Sequence, residues 1–155
     1  MKTLMMALGL ALATPTLATP ALPTPARAMA EQWQLISSST TTAYLADIDS
    51  IATAEGVTTI RIARVRKAPA NPADLSHAVD EYGFRCSADQ IRFVATSDYG
   101  SDGALIERYV EDAPWEDIGD SALFNYIHDV ACDGDRSADG TWPNVQAFMA
   151  SDREG

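Results

Sequence analysis

An α+β fold, a single mainly antiparallel β-sheet of about six strands packed by one C-terminal α-helix, follows from three features of the chain. From Trp33 to Val110, short runs rich in β-branched and aromatic residues alternate with turn residues. The gaps between those runs are too short for helical crossovers, so neighbouring strands must run antiparallel. One amphipathic stretch follows the strands and ends at Cys132.

The chain has 155 residues, which predicts one domain with a modest core. Lys2 precedes an apolar run from Leu4 to Ala13, and a Pro-, Thr- and Ala-rich segment leads to Ala28-Met29-Ala30. This is the form of a secretory signal over residues 1–30, cleaved after Ala30. A membrane anchor needs about 20 apolar residues, and Pro15, Pro20, Pro23 and Pro25 interrupt the run too early. No cysteine near the cleavage point is available for a lipid anchor. The expectation is therefore an exported chain, periplasmic or secreted, without a transmembrane segment. Residues 31–132 would form its main domain and 133–155 an acidic loop with a short amphipathic tail.

Net charge is −11, and loss of Lys2 and Arg27 leaves 9 basic against 22 acidic side chains. Such a surface repels nucleic acid and anionic lipid, both of which are held by clustered Lys and Arg. A solvated acidic coat is the simplest reading.

The elements follow in order. Trp33-Gln34-Leu35-Ile36 begins a first strand, with Trp33 and Leu35 on one face. Thr42 to Asp47 makes a second, Asp47 to Ser50 a turn, and Ile51 returns the chain inward. Glu55-Gly56 introduces the most regular strand, Val57 to Lys67. Ala68 to Pro72 is a loop. Val79 to Cys86, Gln90 to Thr96 and Ala104 to Val110 are three further strands, the last preceded by a turn cluster at Asp98–Gly103. Asp120 or Ser121 caps the helix and Gly134 ends it. Leu123, Ile127 and Val130 share its apolar side; a regular helix would point Cys132 away from that side. Thr141 is placed to cap a final short helix, with Pro143 in its first turn and Trp142, Val145 and Met149 along one side, docked on the body.

Cys86 and Cys132 are the only cysteines, and in an exported chain they read as a disulfide. A redox pair would show Cys-x-x-Cys spacing, and a zinc site would need further ligands when His77 and His128 are the only histidines. Neither pattern is present.

Candidate chemistry is sparse. Asp47 and Asp49 face the same way in an extended segment, as paired acid–base carboxylates would, but turn-forming is the simpler role. His77 follows Ser76, yet a triad is a spatial arrangement that adjacency does not establish. No nucleophile elbow, zinc-protease helix or phosphate loop occurs in the sequence. Asp133, Asp135, Ser137 and Asp139 are spaced like the first half of a calcium loop. Ala138 stands where that pattern needs glycine and Asn144 where it needs glutamate, so a flexible acidic connector is the default. Arg61, Arg64, Arg66 and Lys67 gather on one strand but divide between its two faces. Cross-strand pairs with Asp80, Glu81, Glu107 or Glu111 account for them better than an anion-binding stripe does.

The arrangement resembles the surface-adhesin protein E family of small exported bacterial proteins. The matching pieces are Trp33, the run Tyr44-Leu45-Ala46-Asp47-Ile48-Asp49-Ser50-Ile51, the strand ending at Cys86, and Trp115 to Cys132 with Trp115, Ile118, Ser121 and a Val-Ala-Cys finish. The resemblance implies an antiparallel sheet with one C-terminal helix, joined through Cys86 and Cys132, and a non-enzymatic role. The founding members bind host extracellular-matrix and plasma proteins and can dimerise. This chain departs from them in lacking a lipid-attachment cysteine, and its tail beyond Cys132 has no counterpart; no binding residues carry over. The reading is an exported protein- or ligand-binding module of the bacterial envelope, without catalytic residues, metal or cofactor, whose partner is a protein in the envelope or outside the cell. The alternative is a small secreted hydrolase or metal-dependent enzyme using Asp47, Asp49, His77 or His128.

Overall fold

The computed structural model describes residues 32–151, so the expected signal and its cleavage point lie outside the described residues. The strands are β1 (Trp33–Ser38), β2 (Thr42–Ala54), β3 (Val57–Arg66), β4 (His77–Arg85), β5 (Gln90–Tyr99), β6 (Leu105–Val110), β7 (Glu116–Asp117) and β8 (Thr141–Trp142). The helices are α1 (Ala122–His128) and α2 (Val145–Ala150). The sheet runs β6-β5-β4-β3-β2-β1-β8, with β7 added to β5. All its pairings are antiparallel. The α+β class, the six long strands and their antiparallel order agree with the sequence reading. The two-residue β7 and β8 are additions, too short to leave a periodic signal.

The Asp47–Ser50 segment, which reads as a turn, lies inside β2. Its register against β3 shifts between Asp47 and Ala52, so the polar residues mark a bulge. Ser50 Oγ donates to the Asp47 carbonyl at 2.6 Å and accepts from the Arg61 N–H at 3.0 Å, replacing ladder bonds the bulge interrupts. The true reversal is Glu55-Gly56, with φ of 52° and 78°. Both residues sit in the left-handed region that a two-residue hairpin turn requires. Further along, β5 runs on to Tyr99, three residues past its expected end, which shortens the following turn.

Alternation along the strands builds two cores. Trp33, Leu35, Leu45, Ala63 and Val65 meet Val145, Phe148 and Met149 of α2 on one face. Ala46, Ile60, Ile62, Phe84 and Ile91 meet Ile118, Ile127 and Val130 on the other. The terminal helix therefore fills a face of its own, opposite the one α1 covers. Its cap is Asn144, whose Oδ1 accepts the Ala147 N–H at 2.7 Å, and not Thr141, which pairs with Gln34 in β8.

Ser121 caps α1 by accepting the Phe124 N–H. The helix then widens into a π turn over Asp129–Asp133 and ends at Gly134, φ 80°. That wider turn shifts the phase of the last residues and brings Cys132 to Cys86, where the two are bonded with Cα atoms 5.6 Å apart. The last turn loosens, which is why Cys132 does not point away from the sheet.

Candidate functional site

The residues considered for catalysis occupy separate surroundings. Asp47 is buried and its carboxylate is held by Arg61. Asp49 is exposed. Asp47 faces Arg61 and His77 faces Val65, so on β3 they are four residues apart, roughly 13 Å of strand. His77 stacks on Tyr99 with ring centroids 4.3 Å apart, and its Nδ1 lies 2.8 Å from the Leu75 carbonyl. Burial pulls the His77 pKa below its ordinary value, with the Leu75 bond opposing the shift. His128 belongs to α1, across the sheet, with its ring edge-on to Phe84.

His128 stands among carboxylates. Its Nε2 is 3.7 Å from Asp89, and its Nδ1 is 3.6 Å from Asp129 and 4.0 Å from Asp133. His128, Asp129 and Asp133 could each offer one donor atom to a cation. The loop oxygens of the calcium-like spacing are not gathered this way: Asp133 turns to His128, while Arg136 caps the Val130 and Asp135 carbonyls. The loop is tied down where the Ser137 N–H meets Gln34 Oε1 at 3.3 Å.

The cations of β3 are engaged on both faces. Arg64 forks onto Asp80 at 2.6 and 3.2 Å, as the cross-strand reading expects. Asp80 also accepts from Thr96 and Tyr82. Burial, and then the Asp80 charge, push the Tyr82 phenol well above its usual range. Arg61 takes Asp47, a partner on the other neighbouring strand that the sequence reading did not consider. Glu81 pairs with Arg108 at 2.9 Å. Trp115 is half-buried, with the guanidinium groups of Arg85 and Arg92 over its ring at 4.2 and 4.8 Å from the centroid.

The feature left over is β6. All six of its residues are exposed. Leu105 (55 %), Ile106 (70 %), Tyr109 (46 %) and Val110 (69 %) are the large apolar side chains most open to solvent among the described residues. The strand is the last of the sheet on its side, and among the described residues none pairs with its outer edge. The Glu111 N–H bonds the Val94 carbonyl, so the alternation of an antiparallel ladder turns the backbone groups of Arg108 and Val110 outward. Ile106 reaches a groove of about 730 Å3 on one face, with Arg64, Arg66, His77 and Asp98 in its lining. Leu105 and Arg108 reach a smaller one of about 280 Å3 on the other face. In sequence, Leu-Ile-Glu-Arg-Tyr-Val is indistinguishable from a covered strand, because exposure depends on what lies beyond its edge. The one available signal is a Glu-Arg pair at its centre.

This geometry is that of a disulfide-joined antiparallel sheet with one helix on each face and an open edge. The surface-adhesin protein E description matches residues 33–133, and the chain belongs to that family. No curated protein and no solved structure matches it. No helix among the described residues is long and apolar enough to cross a membrane.

Proposed function

We propose that the chain is an exported, non-enzymatic binding protein that engages a protein partner through the β6 edge. Cleavage after Ala30 would release a chain in which the family region to Cys132 and the tail from Asp133 act together, outside the cytosol. The concentration of exposed Leu105, Ile106, Tyr109 and Val110 on an open edge carries the reading. Natural sheets protect their edges, and an unpaired edge strand that exposes large apolar side chains on both of its faces supports an interaction role. The disulfide fits an oxidising compartment, and membership of an adhesin family fits a partner outside the cell.

The test places a photo-crosslinking amino acid at Ile106, and separately at the exposed hairpin residue Glu55, in the chain expressed by its own cell. Discrete protein adducts at Ile106 and not at Glu55 are expected. Equal adducts at both positions, or none at Ile106 in a folded, secreted chain, would overturn the reading.

A further inference from the structure

We infer that the β6 edge takes an extended segment of its partner as an additional antiparallel strand, with basic side chains on one face of that segment and apolar ones on the other. The inference rests on the binding role of β6 proposed above, and names the partner's chemistry.

Backbone geometry supplies the first half. Outward N–H and C=O groups at Arg108 and Val110 are what strand addition uses for affinity, and alternate side chains then set specificity. Charge supplies the second. Asp98 and Glu107 stand directly opposite each other on β5 and β6, a like-charge cross-strand pair. Glu111 and Asp112 follow at the end of the strand. Among the described residues, no cation lies within ion-pairing distance of these four carboxylates. Arg108, the cation of β6, already pairs with Glu81.

The faces sort the pattern. Glu107 and Tyr109 lie on the α1 side of the sheet, whereas Leu105, Arg108 and Val110 lie on the α2 side. A neighbouring strand would set Lys or Arg beside Glu107 on the first side, with Asp98 one strand further in. It would set apolar residues beside Leu105 and Val110 on the second.

A second copy of the chain fits less well. Two identical antiparallel strands related by a two-fold axis oppose residues of the same parity, because that axis is perpendicular to the sheet. Pairing through the outward groups would centre the register on Arg108, setting Arg108 against Arg108, or on Tyr109, setting Glu107 against Glu111. Both are like-charge contacts.

The experiment uses the exported chain with its disulfide intact and a capped synthetic peptide alternating Lys and Val, compared with the same peptide carrying Glu for Lys. Fluorescence anisotropy should show salt-sensitive binding of the basic peptide alone, and hydrogen exchange at the Arg108 and Val110 amides should slow when it binds. Arg108→Pro removes an outward N–H that β5 does not use, a change edge strands tolerate. Binding should fall by about tenfold or more relative to Arg108→Ala, which loses the same charge but keeps the N–H. If Arg108→Pro fails to fold, the amide exchange decides. No binding of the basic peptide, equal binding of the acidic one, unchanged exchange, or equal binding to folded Arg108→Pro and Arg108→Ala overturns the inference. Sedimentation as a dimer that Arg108→Pro dissociates would assign the edge to a second copy and overturn it too. Crosslinking at Ile106 without peptide binding would remove strand addition alone and leave the partner-binding role in place.

Discussion

Asp47 and Arg61 stand directly opposite each other on β2 and β3, and the carboxylate that the guanidinium holds belongs to a side chain only 1 % exposed. Arg61 also lies over the Trp33 ring, 5.7 Å from its centroid. The pair thus sits where the bulge of β2 meets the core beneath α2.

Replacing Asp47 by Ala leaves Arg61 without its buried counter-charge. Breaking a fully buried pair costs roughly 3–5 kcal/mol, but the Arg61 side chain is 37 % exposed and can rehydrate. The expected loss is about 2 kcal/mol, read as a lower urea midpoint with an unchanged slope. Asp47→Leu combined with Arg61→Met should recover most of it, since it removes both charges and leaves none stranded.

Cys86 and Cys132, separated by 46 positions in sequence, close a loop that spans β5, β6, β7 and α1. The Cys86→Ser/Cys132→Ser double variant should lose about 4 kcal/mol on the chain-entropy account, enough to lower Tm by roughly 10–20 °C. Calorimetry of the oxidised parent and the double variant checks this. A shift of a degree or two would mean that packing of Ile127 and Val130 alone holds α1 to the sheet.

The buried His77 ring has a folded pKa below its ordinary value. Above about pH 6.5 the histidine is neutral in both folded and unfolded chains and contributes no pH dependence. As pH falls below that point the unfolded chain takes up a proton that the folded chain resists, so stability decreases until the lowered folded pKa is reached. The slope contributed is at most about 1.4 kcal/mol per pH unit. Urea denaturation at pH 7 and pH 5.5 should show a loss for the parent that His77→Gln reduces. An identical loss in both would show that His77 does not carry the effect.

Residue pattern alone determined the class, the six long strands, the helix with a cap at Asp120 or Ser121 and a stop at Gly134, and the pairing of Cys86 with Cys132. Each depends on chain neighbours, or on there being no other cysteine to choose. Period-2 alternation marks a strand whether or not anything covers it, and a capping serine acts within its own turn. Tertiary structure decided what depends on distant segments. Asp47–Ser50 became a bulge because Arg61 and the backbone of β3 lie across from it. The π turn at Asp129–Asp133 answers the position of Cys86. Asn144 displaced Thr141 as the cap because Thr141 is drawn into pairing with Gln34. The openness of β6 belongs to the same group: Leu105, Ile106, Tyr109 and Val110 have the composition of a core strand, and only the sheet order leaves them at its edge. Burial is a property of what stands on the other side of a residue, and no local pattern in the chain encodes that.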